Sequence, residues 1–238
     1  MKYSKFLVLI TPALIFFLFE LFYFKPQFFY ISLILSSALL IFTLYQFGRL
    51  WNYKPWYNLI ILPILFIASL AAYSTLSMND LVIQLLFFIN LFFVFYYLRN
   101  IYSYLKSPKE YNVIIQNFSS YGNFLVIFFV GATIFGFQSF LNLSIWPLMA
   151  IFTLILVLIL YEVMITNQIE LKNKGILFIF VFALTLMEIT WAIYFLPLNY
   201  NVLGLMVAIC YYILIGLVKF HLKGGMDKKV IKIYLSFG

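Results

Sequence analysis

Eight apolar runs, each about as long as a helix needs to cross a membrane, constrain the fold of this chain more than any other feature. A helix rises about 1.5 Å per residue, so about 20 residues match the roughly 30 Å hydrocarbon core of a bilayer. The runs are continuous rather than alternating, which excludes a transmembrane β-barrel. The sequence predicts an all-α fold, an eight-helix transmembrane bundle, with helices from Phe6 to Phe24, Phe28 to Phe47, Trp56 to Ser77, Leu81 to Leu98, Phe118 to Phe137, Ser144 to Ile165, Ile176 to Leu196 and Val202 to Phe220.

The composition leaves no room for a separate soluble domain. Only 9% of the 238 residues are charged and 66% are hydrophobic, whereas about 25% of the residues in a soluble domain are charged. We therefore expect a single transmembrane domain over residues 1–220. The basic tail over residues 221–238 then lies either as an amphipathic helix on the membrane surface or as a frayed end.

Basic residues fall almost entirely on one side of the predicted membrane. Eight spans place both termini on the same side, and a cytoplasmic N-terminus puts fourteen of the fifteen Lys and Arg residues there, with Lys25 alone on the other face. This is the positive-inside pattern, and it predicts a plasma-membrane protein with both termini cytoplasmic. The net charge of +8 is then explained by orientation and by attraction to anionic lipid rather than to nucleic acid. The lipid-contact candidates are Lys228, Lys229 and Lys232.

One carboxyl, Glu188, lies near the middle of the seventh run. A charged group at the centre of a membrane helix costs about 3 kcal/mol on translocon scales, so it marks a candidate functional site. Its neighbours at helical spacing include Trp191. We expect Glu188 to be neutral or paired inside the bundle.

Glu20, in the outer third of the first run, is a second candidate. The first and seventh helices run in the same direction, so the two carboxyls lie at similar depth and could share a site for a cation or a proton. Tyr73, Gln84 and Asn90 lie at compatible depths and could line a polar pocket open to the outside. The alternative is that such side chains only link helices by hydrogen bonds.

The remaining polar groups carry weaker expectations. A second polar cluster belongs to the cytoplasmic half and consists of Asn58, Gln116, Asn117, Asn123 and Glu162. Glu162 lies near a helix end and is expected at the membrane interface, in contact with water. Ala132 to Gly136 and Gly204 to Ala208 have the spacing of small residues that lets helices approach closely.

Three functions stay open on the sequence alone. The chain has no HExxH, no GxSxG, no phosphate-binding glycine loop and a single histidine, so no metal or other cofactor is predicted. A non-catalytic membrane scaffold or assembly factor explains these missing motifs best. The first alternative is a protein that binds or transports a small solute, cation or proton through Glu188, with or without Glu20. The second is a membrane enzyme that acts on a lipid-like substrate with a carboxylate as acid or base.

Overall fold

The fold is helical throughout the part of the chain that the computed structural model describes, residues 2–169 and 173–222. The eight helices are α1 (Lys2–Phe24), α2 (Phe29–Leu50), α3 (Ile61–Ser74), α4 (Asp80–Lys106), α5 (Pro108–Leu141), α6 (Ile145–Thr166), α7 (Asn173–Tyr194) and α8 (Tyr200–Leu222). Short 3-10 helices at Pro26–Phe28 and Lys54–Ile60 precede α2 and α3. The described residues contain no strand.

Within the described residues, eight helical segments are long and apolar enough to cross a membrane, as the apolar runs predict. The third of these spans, Lys54–Ser74, includes the 3-10 helix before α3. The predicted basic tail, with Lys228, Lys229 and Lys232, lies outside the described residues apart from its first two positions.

The longest predicted inner connection runs from Arg99 to about Asn117, and it could extend the fourth helix before a short amphipathic turn at the interface. Helix α4 does continue, to Lys106, and α5 begins at Pro108, so only Ser107 between them is not helical. Proline favours the first position of a helix, because its fixed φ suits the helix and its missing N–H needs no partner there. The possible extension of the fourth helix is confirmed. The fifth helix begins earlier than predicted, because apolarity stops before the helical backbone does.

Residues Met1–Gly122 form one compact unit and Asn123–Gly238 another, called unit 1 and unit 2 below. Helix α5 contributes its first part to unit 1 and the rest to unit 2. The expectation of a single transmembrane domain concerns how the units associate, and it stays a prediction.

Unit 1 is held together by packing of α1 against both α2 and α4, and of α3 against the same two helices. The hydroxyls of Thr11 and Thr43 lie 2.8 Å apart between α1 and α2. Phe66 and Phe93 stack with their ring centroids 3.6 Å apart between α3 and α4. Because aromatic rings bury large apolar areas, this stack contributes much of the contact between α3 and α4.

In unit 2, α7 packs against α6 and α8, and α5 approaches α8 closely. A Cβ atom built on Gly204 would lie 2.6 Å from the backbone nitrogen of Ala132. Such a contact is too short for any side chain, so glycine allows the two backbones to come together. The close helix approach expected at Gly204 is confirmed.

Candidate functional site: three carboxyls in the apolar helices

Five carboxyl residues fall in the described part of the chain. Asp80 and Glu110 lie in the first turns of α4 and α5, where an acidic group interacts favourably with the helix dipole. Glu20, Glu162 and Glu188 lie farther along apolar helices. The structure gives these three very different surroundings.

Glu20 is half-buried where α1 packs against α4. The Nε2 amide of Gln84 donates a hydrogen bond of 3.2 Å to Glu20 Oε2. The other carboxyl oxygen, Oε1, is buried without a hydrogen-bond partner. The structure thus brings together Glu20 and Gln84, both singled out in the sequence. It leaves Glu20 Oε1 without a hydrogen-bond donor.

A second polar pair lies one helical turn along the same helices. The Tyr23 side chain lies near Asp80. Tyr23 follows Glu20 by three residues and Asp80 precedes Gln84 by four, so both pairs share the α1–α4 contact. We call Glu20, Tyr23, Asp80 and Gln84 the Glu20 cluster.

Asn90 is separate from that cluster. It is six residues beyond Gln84, about 120° away around the helix, and only 1% of its surface is exposed. Neither amide atom has a hydrogen-bond partner. Tyr73 is half-buried near the end of α3. The structure therefore does not join Asn90 to the Glu20–Gln84 pair.

Glu188 is exposed on α7, which contradicts the expectation that it faces the interior of the bundle. The physical reason is its direction around the helix: Leu186 and Thr190, two positions to either side, are fully buried, so Glu188 points the other way. Because Glu20 belongs to unit 1 and Glu188 to unit 2, their sharing of one site stays a prediction.

Trp191 lies on the same exposed face as Glu188, with 44% of its surface accessible. Its ring contacts that of Phe195 at 5.1 Å between centroids, edge to face. Leu177, Val181 and Leu184 are also exposed, at 63%, 53% and 43%. We call Leu177, Val181, Leu184, Glu188 and Trp191 the α7 stripe.

Glu162 is buried, with only 4% of its surface exposed, so the expectation that it contacts water was wrong. Asn123 Nδ2 donates a 2.7 Å hydrogen bond to Glu162 Oε2, and the Thr166 hydroxyl donates another of 2.7 Å to Oε1. Short bonds to both oxygens stabilise a carboxyl that burial would otherwise disfavour. We call these three residues the Glu162 network.

The Glu162 network is a mainly structural arrangement, of which the sequence indicated the grouping of Asn123 with Glu162 but not their burial. Asn123 is fully buried, and its remaining oxygen, Oδ1, has no partner. Helix α6 is apolar on all sides, so no periodic pattern indicates which face of it is buried. The only available signal was a carboxyl and an amide at similar predicted depth on neighbouring helices.

Among the described residues, no group of three or more His, Cys, Asp or Glu side chains is arranged to hold a metal ion. Comparisons with protein-family models, with curated proteins and with solved structures find no match.

Proposed function

We propose that the protein is an eight-span plasma-membrane protein with both termini cytoplasmic, and that it acts as a non-catalytic assembly factor. The proposal is supported by the eight apolar helices of the described chain and by the segregation of Lys and Arg in the sequence. The basic residues of the tail, Lys228, Lys229 and Lys232, contact anionic lipid on the cytoplasmic face.

The exposed position of Glu188 is the main observation that supports the assembly function. In a bilayer this side chain faces hydrocarbon, where a carboxyl costs about 3 kcal/mol. Polar side chains in membrane helices recover such a cost by hydrogen-bonding across to another helix. The apolar span that contains α7 is also only 28% buried, a share equalled by the span of α2 and lower than that of the other six described spans. The α7 stripe is therefore the surface through which the protein binds a partner.

Photo-crosslinking from the α7 stripe tests this function. With a benzophenone amino acid in place of Leu184, we expect protein adducts in native membranes. The adducts should disappear when Glu188→Leu is added. The matched control is Val157, which is 39% exposed on α6 and should yield lipid adducts only. Lipid adducts alone at both positions would contradict an assembly role.

A second candidate function, binding or transport of a cation or proton, is favoured by the Glu20 cluster. Glu20 Oε1 is buried and unpartnered, and a second carboxyl, Asp80, lies about one turn away. Proton and Na⁺ flux into liposomes tests this function. Equal flux for the unsubstituted protein and Glu20→Gln would exclude it.

A further inference from the structure

The α7 stripe has the spacing of a helix-pairing seam. Its positions, Leu177, Val181, Leu184, Glu188 and Trp191, are separated alternately by four and three residues. This spacing keeps side chains on one face when two helices pack side by side. All five positions are exposed, and four are apolar.

Glu188 distinguishes this stripe from an ordinary lipid-facing surface. The exposed residues of α1, such as Phe6, Leu14 and Phe17, are apolar and can face lipid without a partner. The other exposed carboxyls of the described residues, Asp80 and Glu110, lie at helix starts, where water is close. Glu188 is six residues from the end of α7, about 9 Å along the axis, so it needs a partner within the membrane.

We propose that the partner is a second copy of this chain, paired in parallel along the α7 stripe across a twofold axis. This inference rests on the assembly function proposed above. Two copies inserted with the same orientation have parallel α7 helices, so a twofold axis along the membrane normal places each stripe residue opposite itself. Glu188 of one copy then meets Glu188 of the other at the same depth.

Two carboxyls at the same depth can form a self-complementary contact. Where they share a proton, the O–H of one carboxyl donates to an oxygen of the other, and no basic residue is needed. A different protein would need its own polar group at the same depth, whereas a second copy supplies one by symmetry. A single polar residue in an otherwise apolar seam also fixes register, as a buried polar residue does in coiled coils.

Disulfide crosslinking in liposomes tests the predicted contact. The full-length chain carries Cys210→Ala, which removes its only cysteine, and one new cysteine. We expect crosslinked dimers for Leu184→Cys and Trp191→Cys, because these positions meet their own copies. The control Val157→Cys, exposed on α6, should stay monomeric. Crosslinking equal at all three positions, or at none, would overturn the proposal.

The strength of association tests the role of Glu188. Energy transfer between labelled copies at increasing dilution in lipid gives the dimerisation constant. We expect Glu188→Leu to weaken dimerisation about 5- to 30-fold, whereas Glu188→Gln, whose amide also donates and accepts, keeps most of it. A constant unchanged by Glu188→Leu would overturn the proposal.

The crosslinks formed in native membranes distinguish a failure of the proposed self-pairing from a failure of the proposed assembly function. If the benzophenone at position 184 captures a different protein and the purified chain does not dimerise, the assembly function stands and the self-pairing is wrong. If only lipid is captured at that position, and the purified chain does not dimerise, both fail.

Discussion

Two carboxyls of unit 2, on successive helices, have opposite surroundings. Glu162 on α6 is buried and accepts hydrogen bonds from Asn123 and Thr166. Glu188 on α7 is exposed among apolar neighbours. The sequence predicts the reverse for both residues. The difference shows that the depth of a residue along a membrane helix does not determine which way its side chain points.

The two surroundings also imply different roles. A buried carboxyl with donors on both oxygens contributes to the stability of its own unit, because its removal leaves those donors unsatisfied. An exposed carboxyl contributes little to that stability, and the proposed assembly function assigns Glu188 to contact with another molecule. Substitutions at each site should therefore affect different measurements.

The largest effect is expected at the Glu162 network. Glu162→Leu removes the acceptor of two donors, buried Asn123 and half-buried Thr166, and we expect it to lower the free energy of unfolding by about 3 kcal/mol. Glu162→Gln keeps one acceptor and should cost about half as much. Unfolding in mixed detergent micelles measures both variants. A loss below about 0.5 kcal/mol for Glu162→Leu would show that the network is not structural.

A change in helix packing tests the stability of unit 2 without altering Glu162 or Glu188. Gly204→Leu forces a side chain into the contact of α8 with Ala132, where even a Cβ would lie 2.6 Å from the backbone. We expect a loss of about 1 to 3 kcal/mol in unfolding free energy, typical of overpacking. Leu205→Ala, at an exposed neighbouring position, is the control and should leave stability nearly unchanged.

The third prediction concerns Glu188, the exposed carboxyl of unit 2. Glu188→Leu should leave the unfolding free energy of the monomer in detergent within about 0.5 kcal/mol of the unsubstituted protein, as for other surface changes. Its effect should appear in dimerisation instead. A destabilisation of the monomer as large as that of Glu162→Leu would remove the distinction between the two sites.

In unit 1 we expect a smaller loss of stability than at the Glu162 network. Gln84→Leu removes the hydrogen bond to half-buried Glu20, and one such bond contributes about 1 kcal/mol. Glu20→Gln tests the same contact from the other side. If the Glu20 cluster transports cations or protons, Glu20→Gln will abolish flux while changing stability no more than Gln84→Leu does. Equal flux in the two variants would leave the cluster with only a structural role.

The sequence predicted the number of helices because apolar runs of about 20 residues have few other stable conformations in a membrane. It predicted helix ends less well. The residues between Leu98 and Phe118 are polar enough to suggest a connection, yet α4 and α5 extend through them as far as Ser107. The length of an apolar run indicates how much of a helix faces lipid, and not how long the whole helix is.

The candidate site was predicted only in part, for a related reason. Glu20 and Gln84 were both singled out, and their predicted depths match their hydrogen bond. The directions of Glu162 and Glu188 could not be predicted, because helices that are apolar all round give no periodic signal of their buried face. The sequence located the carboxyls along the helices, and only the packed structure shows their neighbours.

The distance between the α7 helices of two copies tests the central claim most directly. A spin label at Leu184→Cys, in the Cys210→Ala background and in liposomes, reports this distance through dipolar broadening of its spectrum. Packed helices have axes about 8 to 10 Å apart, so we predict strong broadening that Glu188→Leu abolishes. A spectrum without broadening, or with broadening unaffected by Glu188→Leu, would contradict the claim that exposed Glu188 holds two copies together.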